Sequence, residues 1–196
     1  MAPRPPRGQN LNRDPTGERG EINLYGFAAN DPVNTIDLFG LFAKIDVIDC
    51  NIAITLPIKF TWDGATPEAQ KKFKEGIEKK WTGKFGKWNV TTKVVIPSPG
   101  EEFNTIYVDK GWGRGMPKTW NMSGRWREND SGDTAAHEIG HMMGLIDRYH
   151  GKIPVSDEGW KGNVMGIDDV TNVDERNINE ALAVKFNKIT KKGDCK

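Results

Sequence analysis

The sequence is poor in histidine, cysteine and tyrosine, with three, two and three of them in 196 residues. Net charge is almost absent as well: 28 Lys and Arg stand against 27 Asp and Glu. That balance excludes the strongly basic footprint of an ordinary nucleic-acid binder, though not a local basic patch. No apolar run approaches the ~20 residues that a membrane-spanning helix needs. The opening Met1-Ala2-Pro3-Arg4-Pro5-Pro6-Arg7 has no apolar stretch behind its basic residues, so it does not read as a signal peptide. The length is enough to bury a core without disulfides or metal as the main glue. Hydrophobic content is 36% at a mean hydropathy of -0.63, and seven Trp argue for a packed core rather than disorder. The scarce histidines are not scattered. All of them, His137, His141 and His150, fall within one short stretch.

Composition changes near residue 41. Residues 1–13 carry Pro, Arg, Gly and Asn and read as disordered or extended. Residues 14–41 are rich in turn signals such as Asp14-Pro15, Asn30-Asp31-Pro32 and Gly40. Every Trp, His and Cys comes later, and so does every long periodic segment. The expected division is a short irregular leader over 1–41 and a domain over 42–196.

Within that domain, β-branched residues alternate over 44–61, which predicts one or two strands with Pro57 at an edge or bend. Thr66-Pro67 opens a helix as N-cap and first helical residue. Phe73, Ile77 and Trp81 form its apolar stripe, and Gly83 is expected to stop it. Two more strands are predicted over Trp88–Ile96 and Phe103–Val108, then an irregular loop over 109–133. Helices are predicted over 133–144 and 174–190. The class is α+β.

His137-Glu138-Ile139-Gly140-His141 is an HExxH string. Residues four apart on a helix lie on one face, so two imidazoles there can grip one zinc ion. Ala135, Ile139, Met142 and Ile146 form an apolar stripe at helical spacing, nearly opposite the imidazoles. Ser131 or Asp133 is the candidate N-cap. A catalytic zinc needs a third protein ligand and one open position. Gly144 can take a positive φ and turn the chain, and Asp147 follows three residues later. His150 is the competing third or additional ligand. Glu138, beside the first imidazole, is placed as general base.

The full HExxHxxGxxD string over 137–147 resembles the metzincin zinc peptidases, and within them the snapalysin-like branch with Asp as third ligand. The resemblance implies a Zn2+ cofactor and a metzincin-like fold: a twisted mixed sheet, an active-site helix and a C-terminal helix. It also implies a methionine turn beneath the metal. Asn163-Val164-Met165-Gly166 fits that turn, with Met165 as its residue.

The leader carries a second resemblance. Asp14-Pro15-Thr16-Gly17, then Asn23-Leu24-Tyr25-Gly26-Phe27 through Asn34, then Asp37-Leu38-Phe39-Gly40-Leu41, is similar to the end of the Rhs/YD-repeat core. That family closes a large β-shell with a DPxGL motif and carries a variable toxin beyond it. The resemblance implies self-cleavage by two aspartates, matched by Asp14 and Asp37, with the cut after Leu41. Leu38 stands where the motif has Pro. Together the two resemblances imply a zinc endopeptidase toxin carried by an Rhs shell and delivered into a rival bacterial cell, often by type VI secretion. They imply a protein substrate in that cell and a cognate immunity protein.

Three further features stay open on sequence. Cys50 and Cys195 either form a disulfide that staples the C-terminus to the first strand region, or remain free. Residues 111–127 hold three Trp among Arg and Lys, which either anchor a loop to the core or line a nucleic-acid or substrate cleft. The metzincin resemblance implies that the strand Thr105 to Val108 offers its edge to an extended substrate. The rival functions are a nucleic-acid-directed toxin and a binding module with a structural zinc.

Overall fold

A computed structural model describes residues 42–110, 124–150, 155–166 and 171–195, all within the unit Leu41–Lys196. Asp14, Asp37 and Leu41, with the rest of the Rhs-like segment, lie outside the described residues.

The described residues form an α+β fold, a mixed sheet with three helices. Its first strands are β1 (Lys44–Ile48) and β2 (Asn51–Thr61), an antiparallel hairpin turned at Asp49 and Cys50. Alternate residues Ile45, Val47, Ile52, Ile54, Leu56 and Ile58 are buried, as period-two patterning requires. Pro57 sits inside β2 where the strand changes partners. Up to Pro57 it pairs in parallel with β4 (Trp88–Val95), and from Ile58 with β5 (Asn104–Asp109). The Asn104 side chain closes the gap this leaves: its Oδ1 accepts from Phe42 N and its Nδ2 donates to the carbonyls of Phe42 and Pro57.

Between β2 and β4 runs α1 (Pro67–Lys80), capped by the Thr66 hydroxyl accepting from Ala69 N. Its stripe of Phe73, Ile77 and Trp81 is fully buried. The Trp81 Nε1–H donates to the Ala136 carbonyl and so ties α1 to the second helix. Gly83 does not stop α1; Trp81 caps it, and Gly83 opens β3 (Gly83–Phe85), antiparallel to β4.

Three predicted boundaries are corrected. The supposed loop over 109–133 contains β6 (Arg125–Arg127), parallel to β5, so the edge expected on β5 is covered over Tyr107–Asp109. The second helix, α2, spans Gly132–Met142, so Ile146 falls beyond it and is half exposed rather than part of its apolar stripe. The C-terminal helix α3 is only Glu175–Ala183; the chain then forms β9 (Lys188–Lys192), parallel to β1. A small hairpin, β7 (Tyr149–His150) with β8 (Val155–Ser156), completes the described elements. Cys50 and Cys195 are joined as a disulfide, 145 positions apart, which holds the end of the chain to the β1–β2 turn. Of the Trp- and Arg-rich stretch, 111–123 lies outside the described residues. Trp126 is buried against Phe60 and Phe73, as a loop anchor would be. Among the described residues no helix is long and apolar enough to cross a membrane.

Candidate metal centre

Helix α2 brings the two motif imidazoles to one place. The Ser131 hydroxyl accepts from Thr134 N at 2.9 Å and starts the helix, settling the choice against Asp133. Ala135, Ile139 and Met142 anchor it in the core. It ends where Gly144 takes φ 90°. Gly144 N donates to His141 O and Leu145 N to Gly140 O, the paired bonds of a glycine-terminated helix. A side chain at Gly144 would be strained and would also collide with Val184.

The turn delivers Asp147 back to the helix. Its Oδ1 lies 3.2 Å from His137 Nε2 and 3.3 Å from His141 Nε2. The ligand atoms of these three residues all lie within 4.8 Å of one another. The far nitrogen of each ring is held by a backbone carbonyl: His137 Nδ1 at 2.7 Å from Val164 O, His141 Nδ1 at 2.9 Å from Leu145 O. A carbonyl only accepts, so each Nδ1 carries a proton, and in the neutral ring each Nε2 turns a lone pair inward. Asp147 Oδ1 is buried and has no hydrogen-bond partner. In the neutral rings two lone pairs face an orphaned carboxylate oxygen, an arrangement that a cation would satisfy. Imidazole and carboxylate donors suit zinc. The donor set therefore fits a metal ion.

Without a cation, charge pairing between the carboxylate and the imidazoles takes its place. Burial works to raise the Asp147 pKa, but the two imidazoles beside it outweigh burial and hold it well below the carboxylate range. Burial works to lower the His141 pKa, and Asp147 with the Leu145 carbonyl reverses this and raises it. Glu138 is buried with its Oε2 unpartnered. Desolvation pushes its pKa up to about 8 against the pull of His137, with Asp147 and Asp130 adding to the rise. A cation at the site would act in the opposite sense on Glu138.

Met165 lies under this helix. Gly140 has no side chain where one would run into Met165 Sδ, so the methionine packs directly against the turn between the histidines. His150 is not part of the group. It is exposed, and its Nδ1 lies 2.8 Å from Asp157 Oδ1. Arg148 does not neutralise Asp147; it pairs with Glu180 and stacks over Trp160.

Some features of the site were not read from the sequence. Tyr149 faces Asp147, and burial followed by the Asp147 charge raises its pKa to about 12. The available signal was its place two residues past the candidate ligand in an extended stretch, hence on the same side. The carbonyls of Leu145 and Val164 have no sequence signal, because any residue supplies one. No family model, no curated protein and no solved structure matches the chain.

Proposed function

We propose that residues 42–196 are a metzincin-like zinc endopeptidase, the toxin end of an Rhs protein that cleaves a protein of a rival bacterial cell. The observation that carries this reading is the convergence of His137, His141 and Asp147 beside the buried Glu138. Among the described residues three protein donors converge, and three leave a coordination position open, which is the arrangement of catalytic rather than structural zinc. His150, the sequence's candidate for a fourth ligand, is engaged by Asp157 instead. This weighs against the structural-zinc module.

Zinc held by the three residues would acidify a water at the open position and polarise a substrate carbonyl. Glu138 takes one proton from the attacking water and returns it to the leaving nitrogen, so the C–N bond breaks with water divided between the two products. Burial keeps that carboxyl away from bulk water and close to the imidazole that bears on its charge. Val164 and Leu145 fix the ring tautomers, and Tyr149 borders the Asp147 carboxylate.

The Rhs-like segment ending at Leu41 supports a shell as carrier and, with it, a cognate immunity protein that blocks the cleft. The Cys50–Cys195 disulfide favours an oxidising compartment such as the periplasm as the place of action. The near-zero charge argues against the nucleic-acid-directed reading. Mapping new protein N-termini in cells that express the full chain or its Glu138→Ala variant tests the proposal. Cleavage sites present only with the wild type are expected. Equal toxicity from a folded, zinc-loaded Glu138→Ala protein would defeat it.

A further inference from the structure

Asn163 and Asn177 are almost completely buried, 2% and 0% exposed, yet they are polar and lie on separate elements. Their amides pair head to head: Asn163 Nδ2 donates to Asn177 Oδ1 at 2.8 Å, and Asn177 Nδ2 donates to Asn163 Oδ1 at 3.1 Å. Asn163 Nδ2 also donates to Asp174 Oδ2 at 2.9 Å. The Asp174 carboxylate only accepts, so it fixes which end of the Asn163 amide is nitrogen. The oxygen end therefore faces the backbone, where Oδ1 accepts from Met165 N at 2.9 Å.

That N–H belongs to the same peptide group as the Val164 carbonyl. In a trans peptide the two point in opposite directions from one rigid plane. One end of the plane is held by Asn163, and the other accepts from His137 Nδ1. Rotating the plane would break both bonds. His137 would then lose the acceptor that keeps its proton on Nδ1 and its lone pair on Nε2.

We propose that Asn163 is a positioning residue for the metal centre, acting through the Val164–Met165 peptide on the tautomer and orientation of His137. Asn177 and Asp174 set the amide that does this, so the N-terminal end of α3 governs a ligand it does not touch. The inference rests on the zinc-site reading, but not on peptidase activity.

The test uses the full chain as wild type, Asn163→Ala and the near-isosteric Asn163→Leu. Thr92→Ala serves as a control that loses a buried hydroxyl bond remote in sequence from the site. Zinc affinity is measured by competition with a chelator, and the proton position on each imidazole by 15N NMR. Either Asn163 variant is expected to bind zinc about tenfold more weakly, as loss of an outer support does. Its His137 signals should shift away from the Nδ1–H form while those of His141 stay put. Thr92→Ala should keep wild-type affinity and signals. Wild-type zinc affinity with an unchanged His137 in a folded Asn163 variant overturns the proposal. Should neither variant fold, the wild type decides: a His137 proton on Nε2 overturns the proposal, and one on Nδ1 supports it. Failure of the wild type to take up zinc defeats the metal reading instead, and the His137 tautomer of the metal-free protein still tests the positioning.

Discussion

Two regions of this protein are held together by different physics. The sheet with α1 is joined by apolar burial: Ile45, Ile54, Leu56, Phe73, Ile77 and Trp81 are all shielded from water. The stretch from Asp147 to Asn187 adds to its own buried residues a set of directed polar bonds. Asn163 pairs with Asn177, Arg148 with Glu180, and Asn187 Nδ2 donates to the carbonyls of Met143 and Ala181. Two guanidinium groups pack over the Trp160 ring, Arg148 at 4.5 Å and Arg176 at 4.1 Å from its centre. Burial is non-directional and tolerates small shifts. A metal site requires set angles and tautomers, and hydrogen bonds supply direction. The contrast teaches that apolar burial places the helix that carries the imidazoles, while directed bonds set the angles at which they and Asp147 meet.

The largest effect should appear where chemistry is removed without touching either kind of support. Glu138→Ala is expected to lower peptide cleavage about 10²–10⁴-fold, the range for a lost general base, while zinc content and unfolding midpoint hold. An activity assay beside metal analysis reads this, and retained cleavage would sink the assigned role. Phe73→Ala attacks the apolar region and should cost about 3–5 kcal/mol in denaturant unfolding. Its folded fraction should bind zinc as the wild type does; a parallel loss of affinity would break the division between the two regions. Cys195→Ser opens the 145-residue loop and should cost about 2–4 kcal/mol by the same measurement, again sparing zinc affinity. Gly140→Ala sharpens the contrast from the other side. Its new methyl displaces Met165, so about 1–3 kcal/mol of overpacking should come with weaker zinc binding, read by calorimetry and chelator competition. Zinc at 100 times its dissociation constant should add about 2.7 kcal/mol of stability, reversed by chelator. A melting curve insensitive to zinc would remove the metal from the account.

How far the sequence could be read follows the same line. The stripe of α1 was legible because burial leaves a 3.6-residue period, and the alternation of β1, β2 and β4 because it leaves a period of two. The imidazole pair was legible because both candidate ligands sit on one helix, where spacing alone sets geometry. Asp147 and Gly144 were legible because a short turn has few ways to run. By contrast β3, β6 and β9 are short, and β9 is a lysine-rich edge in which Ile189 alone packs against the core. Such strands exist only because a neighbour offers them a ladder. The helix expected over 174–190 extends too far for that reason: propensity does not register that residues 188–192 find an open edge beside β1. The Asn163–Asn177 pair escaped notice because its role depends on segments brought together by the fold, whereas Tyr149 lay within reach of a local reading, two residues past Asp147.

The sequence by itself determined the α+β class, the apolar faces and the ligand spacing within 137–147, because each rests on contacts a few residues apart. Tertiary structure alone decided three things: that Asp147 Oδ1 meets both imidazoles while His150 turns to Asp157, that the two cysteines join, and that the Val164 carbonyl orients His137. These rest on bonds whose partners only the folded chain brings within reach, and bonds of 3 Å leave no periodic trace in a sequence.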